Sequence, residues 1–270
     1  MDTILITKDV KVAKYAEESG VSRIMVDLEI LGKKERQGHL NTVISKHSIE
    51  DVINIRKVLK KSKLLVRINP INDNSKEEID AVIEAGAEII MLPMFKTSKE
   101  VDSFIKLVNK RAIVCLLLET PEALVRIDDI LALKGIDEVH IGLNDLHLAM
   151  GLNFMFELLS GGIVEYLATK IKKAGVKFGF GGVARLGSGT LDAGLILSEH
   201  YRLGSEMVIL SRDFKGGVES YKDLIKKVDL PKEIDKIKEF FLELNTKNSS
   251  SQLRSNKLEL HSQIQKITKL

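Results

Sequence analysis

The sequence has one cysteine, almost no net charge and no apolar run long enough to span a bilayer. The lone Cys115 excludes a disulfide framework and points to a reducing compartment. Basic and acidic residues number 41 and 38, and the basic ones are scattered, which argues against a nucleic-acid surface. The opening Met1–Asp2–Thr3–Ile4 lacks the basic-then-apolar pattern of a signal peptide. The expectation is a cytoplasmic protein that engages neither nucleic acid nor membrane. No glycine-rich dinucleotide fingerprint follows the first apolar run, which weighs against a doubly wound dinucleotide-binding sheet.

What is present is alternation. Short apolar runs read as strands over 4–7, 23–29, 63–70, 88–94, 112–119, 138–145, 176–182 and 206–211, with helical patterns between them. The segment 31–47 is long for a strand–helix loop and rich in Gly, Lys, Arg, Gln and His, a composition suited to function or movement. Eight strand–helix alternations in 270 residues, 44% of them hydrophobic, predict a (β/α)8 TIM barrel over 1–228. A helical extension occupies 229–270, with a Ser/Asn-rich linker at 245–251. Helices over 231–244 and 257–270 each carry an apolar stripe. A stripe that the chain cannot bury on itself packs on a neighbour, so a homo-oligomer is expected.

Two of the runs end in carboxylates. Val114–Leu118 leads into Glu119, and Val139–Gly142 leads through Leu143 and Asn144 to Asp145. The C-terminal rim of parallel strands is where α/β folds build active sites. Two carboxylates on neighbouring strands there can grip one hard divalent cation, Mg2+ or Mn2+. Either could instead cap the helix that follows it. Leu143 and Asn144, beside Asp145, are expected to line the substrate site. The glycine-rich stretch 179–190, with Gly181, Gly182 and Arg185, suits either an anionic group or a tight turn capped by Ser188 or Thr190. Cys115 reads as a small buried hydrophobe. Lys177, at a strand's entrance, is wrongly placed for a Schiff base.

Four segments, Leu65–Asn69, Gly86–Met94, Glu119–Leu124 and Ile141–Leu146, have the order and spacing of the HpcH/HpaI aldolase and citrate lyase β-subunit family, which the chain resembles over about 4–214. The resemblance implies a barrel that makes or breaks a carbon–carbon bond beside a 2-keto acid or a CoA thioester, using Mg2+ or a similar metal. It implies Glu119 and Asp145 as metal ligands and Arg67 on the keto-acid carboxylate and developing enolate oxygen. Asp27 and Glu29 become the acidic pair near the metal and its waters. Arg67 could also be a purely structural ion pair. Two positions depart from the family's pattern: Ile30 stands where the pyruvate aldolases have a histidine base, and Leu117 where they have a glutamine. His39 or His47 could supply the missing acid–base group, His39 being favoured because Arg36 and Gln37 adjoin it; His147 is a weaker candidate.

The reading is a metal-dependent, aldolase-like carbon–carbon lyase acting on a small anionic substrate: a 2-keto acid, a sugar acid or a CoA ester. The alternatives are a family member that binds an oxo-acid or sugar acid without turnover, and another enolate reaction such as thioester hydrolysis or enolpyruvyl transfer.

Overall fold

The computed structural model describes residues 1–32, 47–246 and 250–269. Eight parallel strands close into a barrel in sequence order. They are β1 (Asp2–Ile6), β2 (Arg23–Asp27), β3 (Lys63–Arg67), β4 (Ile89–Leu92), β5 (Ile113–Leu118), β6 (Glu138–Ile141), β7 (Lys177–Val183) and β8 (Met207–Leu210). β1 pairs with β8, Asp2 opposite Met207 and Ile4 opposite Ile209. The two faces of the strands supply two cores. Ile4, Met25, Leu65, Met91, Cys115 and Met207 fill the lumen. Ile24, Val66, Ile90, Leu116, Val139 and Phe180 face the helices. Burial on both faces explains why the strands read as continuous apolar runs.

Capping fixes where the helices start. Asp9 accepts from Lys11 and Val12 N–H ahead of α1 (Val10–Glu18). Ser48–Asp51 and Thr97–Glu100 form capping boxes for α2 (Ile49–Val58) and α4 (Ser98–Val108), with α3 (Ser75–Glu84) between them. The helix expected over 121–133 is two helices, α5 (Pro121–Val125) and α6 (Ile127–Leu131), which meet at the non-helical Arg126. The strand expected to run to Asp145 stops at Ile141. Gly142 is extended and opens α7 (Leu143–Ala149), whose Leu143, Leu146 and His147 are buried at helical spacing. Asp145 therefore lies in the first turn of a helix.

Short α8 (Glu157–Ser160), α9 (Ile163–Lys173) and α10 (Ala193–Leu203) complete the ring on this side. β7 runs past its glycines to Val183, with a bulge between Gly179 and Gly182. Asp192, rather than Ser188 or Thr190, caps α10. A 3-10 turn (Arg212–Lys215) and α11 (Tyr221–Lys227) follow β8.

The extension comprises α12 (Leu230–Thr246) and α13 (Ser250–Thr268), so the described residues of the expected linker, 245–246 and 250–251, are helical. Part of the apolar stripe of α13 packs on its own barrel, while Leu258 stays 67% exposed. Leu260 and Ile264 are buried in the main core. Asn256 Nδ2 donates to Ser198 Oγ at 2.9 Å, and Lys257 Nζ lies 2.7 Å from Glu165 Oε2. Among the described residues, no helix is long and apolar enough to cross a membrane.

Candidate active site

The parallel register sets Asp27, the last residue of β2, opposite Arg67, the last of β3. The guanidinium grips that carboxylate in a fork, Nε to Oδ1 and Nη2 to Oδ2, each at 2.8 Å. Glu29 Oε2 stands 3.5 Å from the same Nη2, and both acids are buried. Burial alone would lower the Arg67 pKa, but the charges of Asp27, Glu29 and Glu119 hold it above its ordinary value.

Glu119 follows β5 directly and is 3% exposed. Its Oε1 accepts from Met94 N–H at 3.2 Å. Met94 has φ +55°, a left-handed conformation that costs a non-glycine residue about 1 kcal/mol or more and that turns its amide to Glu119. Gly142 makes the room: a Cβ there would lie 2.8 Å from Glu119 Cβ and 2.9 Å from Oε2. Burial pushes the Glu119 carboxyl well above the usual range, and the charges of Asp145 and Glu29 push the same way against Arg67. Glu119 and Asp145 share a cavity of about 460 Å3 with Met94, Lys96, Pro121 and Leu148.

The mouth therefore gathers Asp27, Glu29, Arg67, Glu119 and Asp145, all expected there. The other expected residues do different work. Arg185 is closed on Asp213, Nε to Oδ2 at 3.0 Å and Nη2 to Oδ1 at 2.9 Å, and the Arg185 backbone N–H donates to the same carboxylate. The Arg185 guanidinium brings the Asp213 carboxyl down to about 2. Gly181 has φ +52°, and a Cβ there would meet Leu143 Cδ1 at 2.8 Å, so the turn packs against buried Leu143. Gly182 is inside β7 beside Ile209, and Asn144 is exposed on α7. His39 lies outside the described residues.

His47 Nδ1 accepts from Asp27 N–H at 2.9 Å, which sets its ring beside the Arg67–Asp27 pair. Burial lowers its pKa, against the pull of Asp27 and Asp51. His147 is buried, with Nδ1 3.1 Å from Leu143 O, a contact within its own helix. Ile30 is 60% exposed, and its N–H and that of Leu31 donate to Asn69 Oδ1. Burial raises the Cys115 thiol far above its ordinary pKa, so it is no nucleophile.

Sequence reasoning missed Met94, Gly142 and Asn69. A glycine one residue past a strand and a polar residue after Arg67 were the available signals, and neither is specific without the neighbouring chain.

Among the described residues, no three His, Cys, Asp or Glu side chains form a cage for a metal. Mg2+ does not require one, since it keeps several waters and takes one or two carboxylates. The hard oxygens of Glu119 and Asp145, in a mouth where acids outnumber Arg67, fit such a cation.

The family model for HpcH/HpaI aldolase/citrate lyase matches residues 9–180. No curated protein sequence matches the chain significantly. The fold is similar to the HpcH/HpaI aldolase from Desulfitobacterium hafniense DCB-2, with TM-score 0.64 and 16% identity over 84% of this chain and 93% of that one. A HpcH/HpaI aldolase/citrate lyase family protein from Burkholderia cenocepacia J2315 gives TM-score 0.59 at 16% identity over 77% and 86%. Citrate synthase SbnG gives TM-score 0.59 at 16% identity over 77% and 85%.

Proposed function

This chain belongs to the HpcH/HpaI aldolase/citrate lyase family, and from that premise we propose that it is a metal-dependent carbon–carbon lyase acting beside a 2-keto acid through an enolate. The observation that carries the reading is the gathering of Glu119, Asp145 and Arg67 at one mouth, with Asp27 and Glu29 holding the guanidinium in place. Glu119 and Asp145 would hold Mg2+ or Mn2+, which supplies Lewis-acid polarisation of the keto oxygen and stabilises the charge left by bond cleavage.

Arg67 binds the substrate carboxylate and orients the scissile bond over the acidic pair. Asp27 is its positioning partner, since a fork fixed on both Nε and Nη2 cannot rotate. His47 serves as a hydrogen-bond donor to the oxygen of the cleaved bond: its Nδ1 is occupied by the Asp27 amide, so Nε2 carries the proton of the neutral ring. A His47→Gln enzyme that binds metal normally but turns over at the wild-type rate at every pH would remove His47 from the mechanism.

The test of the site is a divalent-metal titration by calorimetry in the presence of oxalate, a mimic of the pyruvate enolate. Wild type should bind the pair together, and the Glu119→Ala/Asp145→Ala protein should not. Absence of metal binding in wild type would make the carboxylates structural. One observation favours a second reading, a binding protein without lyase turnover: exposed Ile30 stands where the family's aldolases have their histidine. Oxalate and metal bound by a protein that yields no product from any 2-keto acid and aldehyde would select that reading.

A further inference from the structure

Lys96 and Glu122 line the same cavity as Glu119 and Asp145, and the enolate chemistry uses neither. Their charges meet at 3.0 Å, with the side chains 53% and 42% exposed. The left-handed turn at Met94 brings the chain back over the cavity two residues before Lys96. From there the backbone is held. Lys96 N–H donates to Glu100 Oε2 at 2.9 Å, and Arg126 Nη1 donates to Lys96 O at 3.4 Å. Only the side chain can change partners.

That exchange costs little. An exposed ion pair is worth about 0–1 kcal/mol, so another anion can take the place of Glu122 at the ammonium. Glu122 does not depend on Lys96 alone. Its own backbone N–H is the main cause that holds its carboxyl below the usual range, with Lys96 second. Lys96 is the one cation among the described residues that line this cavity. The rest of the lining is mostly apolar: Met94, Pro121, Leu148 and Ala149, with Thr120 beside them. The cavity thus combines carboxylates, hydrocarbon and one half-exposed ammonium.

We propose that Lys96 is the specificity-determining residue of this site, receiving a terminal carboxylate on the carbonyl compound that joins or leaves the enolate, with Glu122 as its displaceable counter-ion. The proposal rests on the enolate-lyase reading given above. A single ammonium is a point charge suited to one carboxylate. The apolar lining residues suit a methylene chain between the reacting carbonyl and that terminus.

The test compares 2-oxoadipate with 2-oxohexanoate, which differ at the terminal carboxylate, by calorimetry in excess Mg2+. Wild type should prefer the diacid by about two- to fivefold, the scale of one partly exposed charge contact. Lys96→Met should bring the ratio to about one and leave 2-oxohexanoate binding unchanged. Lys96→Arg should keep the preference, and Glu122→Gln should increase it. A preference that survives Lys96→Met, or none in wild type while both acids bind, overturns the assignment and leaves the enolate site standing. If neither acid binds to any of the proteins, wild type included, the enolate reading falls and this proposal with it.

Discussion

The strand β2 begins with one buried arginine and ends facing another, and the two sites differ in balance. At the N-terminal end, Arg23 is shared between Glu138, across the lumen on β6, and Asp2 on β1. Arg23 and Glu138 are both 5% exposed at their side chains. At the C-terminal end, Arg67 is held by Asp27 and Glu29, and the charge of Glu119 also acts on it. Asp145 acts in turn on Glu119, whose carboxyl is pushed well up. The same side-chain types make a structural clamp at one end and an acid-rich mouth, chemically short of a cation, at the other. The number of acids around the guanidinium decides which.

The sharpest way to break the comparison is to neutralise the mouth. Glu119→Gln/Asp145→Asn should lower metal-dependent turnover by about 10^3-fold or more. Its Tm without metal should stay level or rise, because buried like charges are removed. Product assays and thermal melts with and without Mg2+ check both halves. The mirror change, Glu138→Ala, leaves Arg23 buried with half its partners. It should cost about 3–5 kcal/mol in denaturant unfolding while the folded fraction keeps its activity.

A third test uses His140, which lies in the lumen on β6 near Arg23. Its Nε2–H donates to Gly181 O at 2.9 Å, and Nδ1 is buried without a partner. Burial, with a smaller push from Arg23, brings its pKa down to about 4. The unfolded histidine takes its proton near pH 6.5 and the folded one only near 4, so between those values the unfolded state binds more protons. Stability should be fully present above about pH 6.5 and fall as pH drops toward 4, by about 3 kcal/mol at roughly 1.4 kcal/mol per pH unit. Denaturant unfolding across that window, on wild type and His140→Gln, reads it; an equal slope in both would assign the loss to other groups. The smallest effect is expected at Gly142→Ala. The added methyl must displace Glu119, which should reduce turnover about 10- to 100-fold with little change in Tm.

The alternation was legible because strands buried on both faces and capped helices each leave a local signature, as in Thr97–Glu100 ahead of α4. Glu119 and Asp145 were legible as carboxylates ending apolar runs, and Arg67 as a charge ending a third. The end of β6 was not, because Leu143, Leu146 and His147 fit either a continuing strand or a buried helix face until Gly142 decides. The clamp at Arg23 was hidden for another reason. Its partner Glu138 is 115 positions away, and a charge in the first position of a strand looks like ordinary solvent exposure. The pairing of Arg185 with Asp213 was not legible, because that counter-ion comes from the turn after the next strand, 28 positions along the chain. The stripe on α13 was legible as apolar, but not that Leu260 and Ile264 of it would cover this chain's own barrel, since no local feature says which helices a stripe meets.

The pairing of β1 with β8 has a kinetic consequence. Every other pairing joins strands that are consecutive in the chain, whereas this seam joins the first strand to the last. Until β8 arrives, the growing sheet has two unpaired edges, each able to recruit a strand from another chain. Closing so long a loop adds little equilibrium cost but delays the step, because such contacts reward the chain only after the loop's entropy is spent. Refolding yield should therefore fall steeply with protein concentration, even under conditions where the finished barrel is stable.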